Sequence, residues 1–212
     1  MYTHKEGIRL RKLHKGDLYS LLALKQESWW GTHGTPIINI EDQSKWYDSM
    51  GNNQLYMILE DASQSEKIQS LGFGGYTNID WIGRTLDISG SIFKSFRQMD
   101  TVKKCFATGL DFAFEVLNMQ RVGAEVLETH SAAQHLEVGY LGFKVEGRKR
   151  RAVYKSGKYY DSIVLGLLRE EWEEQPRIKN YGGCCNENFD HDKAQECIKR
   201  LNRVIGVVPN EQ

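Results

Sequence analysis

The stretch 84-RTLDISGSIFKSFRQMDTVKKCFATGLDFAFEVLNMQRVGAEVL-127 decides how this chain folds. Leu86 to Phe93 reads as a strand, and Lys94 to Asp100 as an irregular turn. Thr101 to Asn118 has the spacing of an amphipathic helix: Val102, Phe106, Leu110, Ala113, Phe114 and Leu117 share one side. Lys103, Lys104, Thr108, Asp111 and Glu115 share the other, so one face packs on a sheet. Arg121 to Leu127 is a second strand. The crossover takes about 30 residues, the size of a βαβ unit. A strand that runs through a turn into a helix N-terminus gathers backbone N–H groups at the positive end of the helix dipole. That is a ready site for phosphate anions.

Downstream come His130-Ser131-Ala132-Ala133, Leu141-Gly142-Phe143 and Glu146-Gly147-Arg148. Gly142 to Tyr154 and Tyr159 to Leu168 then form a hairpin across the turn Lys155-Ser156-Gly157-Lys158. Upstream, Ile8 to Leu13 alternates apolar and basic residues as a half-buried strand does. Asp17 is placed to cap a helix carrying Leu18, Leu21, Leu22 and Leu24. Glu27 to Ile40 is a loop rich in aromatics and glycine, with Trp29, Trp30, Gly31, His33, Gly34 and Pro36. Glu41 to Met50 reads as a short helix carrying Trp46 and Tyr47. Gln54 to Glu60 and Ile68 to Ile79 read as antiparallel strands joined by a polar turn, Ser63 to Lys67. Antiparallel strands before the crossover and a hairpin after it predict an α+β fold with a mixed sheet. Residues 1–175 make one domain. Residues 176–212 form a tail in which Asp190 to Val204 is a short helix with Ala194, Cys197, Ile198, Leu201 and Ile205 along one side. Such a helix could close a homodimer or cover a sheet edge.

Composition narrows the function. The 212 residues are 40% hydrophobic and 26% charged, with 28 Lys plus Arg against 28 Asp plus Glu. A balanced chain has no field that steers it to nucleic acid or to an anionic membrane. No apolar run approaches the ~20 residues of a membrane helix, and the N-terminus lacks the apolar core of a secretion signal. The expected location is the cytoplasm, with the four cysteines reduced and Cys105 serving as a small buried residue. No Gly-x-Ser-x-Gly elbow, Walker loop or dinucleotide fingerprint is present. Cys184, Cys185, His191 and Cys197 lack the spacing of a structural zinc site, so no metal is expected. The basic run Arg148 to Arg151, with Lys155 and Lys158, reads as a solvated hairpin face.

Three phrases in order carry a resemblance. They are Leu110-Asp111-Phe112-Ala113-Phe114 with Leu117 to Val122, Leu141 to Arg148, and Gly157 to Asp161 ending in Leu167 to Trp172. From Ile8 to Trp172 the chain resembles the GNAT superfamily of acyl-CoA-dependent N-acetyltransferases. The likeness is to the branch with the ribosomal-protein alanine and spermidine acetyltransferases. The resemblance implies a splayed mixed sheet flanked by helices, with acetyl-CoA as co-substrate. It implies that the thioester carbonyl is polarised by a backbone N–H near Ser91 or Ile92, beside Phe93. The pyrophosphate would sit on Arg97, Gln98, Met99, Asp100, Thr101 and Val102.

The family pattern there is Arg or Gln, two residues, Gly, one residue, then Gly or Ala. Here Arg97 is kept and both glycines are gone. Asp100 stands at the first, where it could cap the helix at Thr101 or Val102. The family's Asn and Ser after the second strand correspond to His130 and Ala133, the latter beside the cofactor. Tyr140 is the candidate general acid, although the spacing from Ala133 to Gly142 is one residue long and places it late unless a bulge intervenes. Asp87 is the first candidate base, with Glu125 and His130 next. Trp29, Trp30 and His33 would frame the acceptor. The expected activity is acetyl transfer to a primary amine of a small molecule or peptide, by direct attack in a ternary complex. The alternative is the same fold with a degenerate phosphate loop, using another donor or acting as a binding or assembly module.

Overall fold

The computed structural model describes residues 2–3, 7–31, 33, 39–63 and 68–175. These fall in two compact units, Met1–Val122 and Gly123–Gln212.

In the first unit, β1 (Tyr2–Thr3), β2 (Ile8–Lys12), β3 (Leu55–Asp61), β4 (Gln69–Asp80) and β5 (Thr85–Ile92) pair consecutively in antiparallel register. The opposed pairs Phe73–Ser91, Gly75–Ser89 and Thr77–Asp87 share one face of the ladder. Helices α1 (Leu18–Glu27) and α2 (Ile40–Asp48) cover that face. Leu13, Leu18, Leu21, Leu24, Ile58 and Phe73 form its buried cluster, with Trp46, Tyr47 and Tyr56 packed against it. The opposite face carries α3 (Met99–Asp111). There Gly90 lies under the Phe106 ring, Gly109 against Ile88 and Tyr76, and the Tyr76 hydroxyl donates to the Gly109 carbonyl at 2.8 Å.

The helix starts follow from local chemistry. Asn39 accepts from the Asp42 N–H at 2.8 Å, capping α2 and contributing ~1 kcal/mol. Asp17 acts differently from expectation. Its carboxylate accepts from the His14 N–H at 2.8 Å and from both terminal nitrogens of Arg11 at 2.9 Å, closing the one-turn helix Lys15–Asp17 that feeds α1. The Arg11 guanidinium holds that carboxyl below the usual range.

The crossover helix also departs from its reading. It begins at Met99 and widens after Asp111 into a π turn, Phe112–Val116, closed by the Leu117 N–H on the Phe112 carbonyl at 3.0 Å. Thr108 and Asp111, expected on the solvent side, are buried at 0% and 2% exposure. The face against the sheet runs through Phe106, Gly109 and Phe112: Phe106 meets Gly90, Gly109 meets Ile88 and Tyr76, and the Phe112 ring lies 5.8 Å from that of Tyr76. The Thr108 hydroxyl is satisfied by the Lys104 carbonyl at 2.8 Å.

In the second unit, β8 (Lys158–Leu168) lies between β6 (Arg121–Leu127), which carries the boundary between units, and β7 (Lys144–Lys155). Between β6 and β7 come α4 (Ser131–Gln134) and a π turn, His135–Tyr140; α5 (Arg169–Glu173) follows β8. The β7–β8 hairpin turns on Ser156 and Gly157 with φ of 48° and 84°, the type I′ geometry its two-residue loop requires. Two members of its basic run are paired within the unit. Arg148 bonds Asp161 and reaches Glu128 at 2.8 Å, and Lys149 bonds Glu125. The expected tail helix, its cysteines and its dimer role lie outside the described residues, as do most of the Ser63 to Lys67 turn and Gly34 to Pro36.

Candidate functional site

β5 leaves the sheet through the short 3-10 turn Lys94–Phe96 and enters α3. The Phe93 N–H bonds the Leu71 carbonyl at 2.9 Å. By the alternation of an antiparallel ladder, the amides of Ser91, Ser89 and Asp87 point to β4 as well, and those of Ile92 and Gly90 point away from it. Of the two expected carbonyl donors, the Ser91 amide is therefore committed to β4, and the Ile92 amide points away from it. The Ile92 carbonyl accepts from Arg97 Nε at 2.7 Å.

The Arg97 guanidinium also reaches Glu27 Oε1 at 3.1 Å and the Ser28 hydroxyl at 3.2 Å. The Lys94 N–H donates to the same Glu27 oxygen. A carboxylate from the last turn of α1 thus rests on this turn as an anion would. Gln98 is the N-cap residue of α3, extended at ψ 136° and without a side-chain cap bond. Asp100 is not the cap: the 3-10 turn is short enough that the helix begins one residue before it. Its carboxylate pairs with Lys104 at 2.7 Å, one turn on, which draws it off the helix end. The N–H groups of Met99, Asp100 and Thr101, which lack intrahelical acceptors by position, stand at the positive end of the dipole. Charge and backbone donors here fit a pyrophosphate.

Asp87 lies on the sheet face covered by α1 and α2. It is half-buried and accepts from the Asn78 amide at 2.8 Å. Asn78 holds a φ of 50° inside the β-bulge between Thr77 and Asp80, so the bulge aims the amide at the carboxylate. Ser89 and Ser91 continue the polar stripe along β5. Over the same face, Tyr56 stacks on Phe73 at 5.4 Å and meets Trp46 edge-on at 4.8 Å. The Lys25 ammonium sits 3.7 Å from the centre of the Trp46 ring, and burial pushes its pKa down to about 8. In α2, Gln43 is 0% exposed, and neither its Oε1 nor its Nε2 has a hydrogen-bond partner. Trp29 and His33 are half-buried, whereas Trp30 is 63% exposed and presents its ring to solvent.

In the second unit, His130 is exposed and caps α4 with its backbone: its carbonyl accepts from the Ala133 and Gln134 N–H groups, both at 3.1 Å. Ala133 is half-buried on the first turn of α4. The π turn is closed by the Leu141 N–H on the Leu136 carbonyl at 2.8 Å and absorbs one extra residue between Ala133 and Gly142. Tyr140 ends that turn, half-buried. Glu125 accepts from Lys149 and from the Ser162 hydroxyl, and so is engaged as an ion-pair partner.

Two residues escaped sequence reasoning. Glu137, inside the π turn, has its Oε2 enclosed without a hydrogen-bond partner, and burial pushes its carboxyl up to about 8. An acid between Leu136 and Val138 was the only signal. Gln43 gave none, since a glutamine in a helix ordinarily faces water. Among the described residues no group of three His, Cys, Asp or Glu could hold a metal ion, and no helix is long and apolar enough to cross a membrane.

Comparison with known proteins converges on one family. A family model for the acetyltransferase (GNAT) domain matches residues 8–143. Among curated proteins of Bacillus subtilis strain 168, the chain is 32% identical over 83 residues to the SPbeta prophage-derived uncharacterized N-acetyltransferase YokL, covering 39% of this chain and 46% of that one. It is 31% identical over 98 residues to the "Putative ribosomal N-acetyltransferase YdaF", covering 45% and 52%. The chain thus aligns with about half the length of these relatives. Among solved structures it superposes on the Vibrio cholerae spermidine N-acetyltransferase in complex with CoA and spermine. The TM-score is 0.72 at 20% identity, over 79% of this chain and 99% of that one. A dodecameric form of the same Vibrio enzyme gives a TM-score of 0.68 at 21% identity, over 81% and 99%. At that identity the likeness is one of fold.

Proposed function

Because this chain belongs to the GNAT acetyltransferase family, we propose that it moves an acetyl group from acetyl-CoA to a primary amine, by direct attack in a ternary complex. The observation that carries the reading is the turn after β5, where Arg97 and the Lys94 N–H already hold a carboxylate. Arg97 and the first amides of α3 hold the pyrophosphate of the donor. Bound acetyl-CoA supplies the activated thioester. The Ile92 N–H donates to the thioester carbonyl oxygen, where negative charge develops. Asp87, aimed by Asn78, takes the proton of the attacking amine directly or through one water. The half-buried Trp29 and His33 border the acceptor.

One observation favours the alternative of a binding module: the Glu27 carboxylate and the missing glycines together crowd the phosphate turn. Calorimetric titration with acetyl-CoA and with CoA, followed by thiol release in the presence of amines, decides between them. Expected are micromolar CoA binding, about tenfold weaker in Arg97→Ala, and an Asp87→Asn enzyme that binds CoA normally but turns over about 10²–10⁴-fold more slowly. Absence of binding at millimolar acetyl-CoA defeats the transferase reading.

A further inference from the structure

Resting on the acetyl-transfer reading, we propose that Glu27 is an internal competitor of the donor: its carboxylate stands in the place of the pyrophosphate, and CoA binds by exchanging it. That exchange makes Glu27 a selector of donors, because a ligand without phosphates has nothing to replace the carboxylate with. The Lys94 N–H and Arg97 Nη2 converge on one oxygen, Glu27 Oε1, the guanidinium at 3.1 Å. A backbone amide and a guanidinium directed at one anionic oxygen are the donors that receive a phosphate oxygen. Arg97 Nε is meanwhile tied to the Ile92 carbonyl at 2.7 Å. The guanidinium therefore keeps its place when the carboxylate leaves, with Nη2 left to the incoming anion.

Two further observations explain why the carboxylate can leave. Glu27 is the last residue of α1, at the negative end of that helix dipole, where a carboxylate is disfavoured. Its own helix gives it no support, and the turn after β5 is what holds it. The Glu27 and Arg97 side chains are also 35% and 41% exposed, so water screens the pair and the contact is weak enough to exchange. A pyrophosphate brings two charged groups with several acceptor oxygens to the same donors and outcompetes a single carboxylate. A carboxylate that stayed beside it would repel it, so the two cannot share the turn.

The test is calorimetric titration of the full chain, and of its Glu27→Gln and Glu27→Ala variants, with three probes. These are CoA, inorganic pyrophosphate, and pantetheine, which has the thiol arm without the phosphates. Both substitutions should tighten CoA and pyrophosphate about 3–10-fold and leave pantetheine unchanged. With Arg97→Ala in the same chain, the gain from Glu27→Gln should shrink, because the carboxylate has lost the cation that held it there. The replaced side chain is exposed, so both variants should fold, and their melting temperatures check this. Unchanged or weaker binding of CoA and pyrophosphate in both variants overturns the proposal, as does an equal gain for pantetheine. The two readings fail separately. Variants that bind CoA where wild type does not, even at millimolar concentration, sink acetyl transfer and keep Glu27 as the occupant of the turn. Wild-type turnover with a CoA affinity that ignores Glu27 keeps acetyl transfer and sinks the exchange.

Discussion

Replacing Glu137 by glutamine should make the protein's stability less sensitive to pH between about 4.5 and 8. Burial raises the Glu137 carboxyl from its ordinary 4.5 to about 8, with no hydrogen bond on Oε2 to offset it. Below the lower value the group is neutral folded and unfolded, and contributes no pH dependence. As pH rises through the window the unfolded chain releases this proton and the folded chain keeps it, so folding stability falls. The fall is about 1.4 kcal/mol per pH unit, which caps the effect at roughly 4–5 kcal/mol over the window. Because Glu137 as a whole is only half-buried, solvent relieves part of this, and about 2 kcal/mol is the expected size. A glutamine amide resembles the neutral acid at every pH. Glu137→Gln should therefore match wild type near pH 5 and exceed it at pH 8, by about 4–8 °C in melting temperature for a chain of this size. The assay is urea and thermal unfolding of both proteins at the two pH values in matched ionic strength. The difference of differences cancels every other titrating group. A value near zero, or a larger gap at pH 5, refutes the assignment of a neutral carboxyl to Glu137.

At Gly72 an added Cβ would meet the Ser91 carbonyl oxygen at 2.2 Å and the Ile92 Cα at 2.8 Å, backbone atoms that can only yield by separating β4 from β5. Gly72→Ala should cost about 2–3 kcal/mol in urea unfolding and weaken CoA binding, whereas Gly147→Ala, with nothing within 4 Å, should stay within about 0.5 kcal/mol of wild type. Equal stabilities would show that the strands do not meet there as described. Arg148→Met removes the cation between Glu128 and Asp161, and should destabilise by about 2–3 kcal/mol, since two partly buried carboxylates lose their partner. An unchanged denaturation midpoint would mean that the network is cosmetic.

Strand periodicity and turn chemistry were legible because both are local. Arg121 to Leu127 and the Ser156-Gly157 turn are read from neighbours in the chain, and the structure has them at those positions. Leu110, Ala113 and Phe114 are buried as the apolar spacing requires, while Thr108 and Asp111 were assigned to solvent because apolarity was taken as the marker of burial. The engagement of Arg97 by Glu27 was beyond reach, since the two are 70 residues apart and exposed carboxylates carry no label for their partner. The family motif pointed to Arg97, and only the fold brought the acid to it. Gln43 and Glu137 are the deepest omissions. A buried polar residue without a partner violates the pairing rule by which sequences are read, so such residues stay hidden until burial is seen.

Both π turns, Phe112–Val116 and His135–Tyr140, hold one residue more than an α-helix would need over the same rise. They behave as slack in a line under tension. A residue can be gained or lost there while the flanking strands stay anchored, so length should vary among descendants of this sequence at those two places before it varies inside a strand. The slack also has a direction. Removing Gly139 would draw the second turn tight into an α-helix and swing the side chains beyond it by about 100° about the axis. Chain length at this point is therefore a dial on where Tyr140 looks.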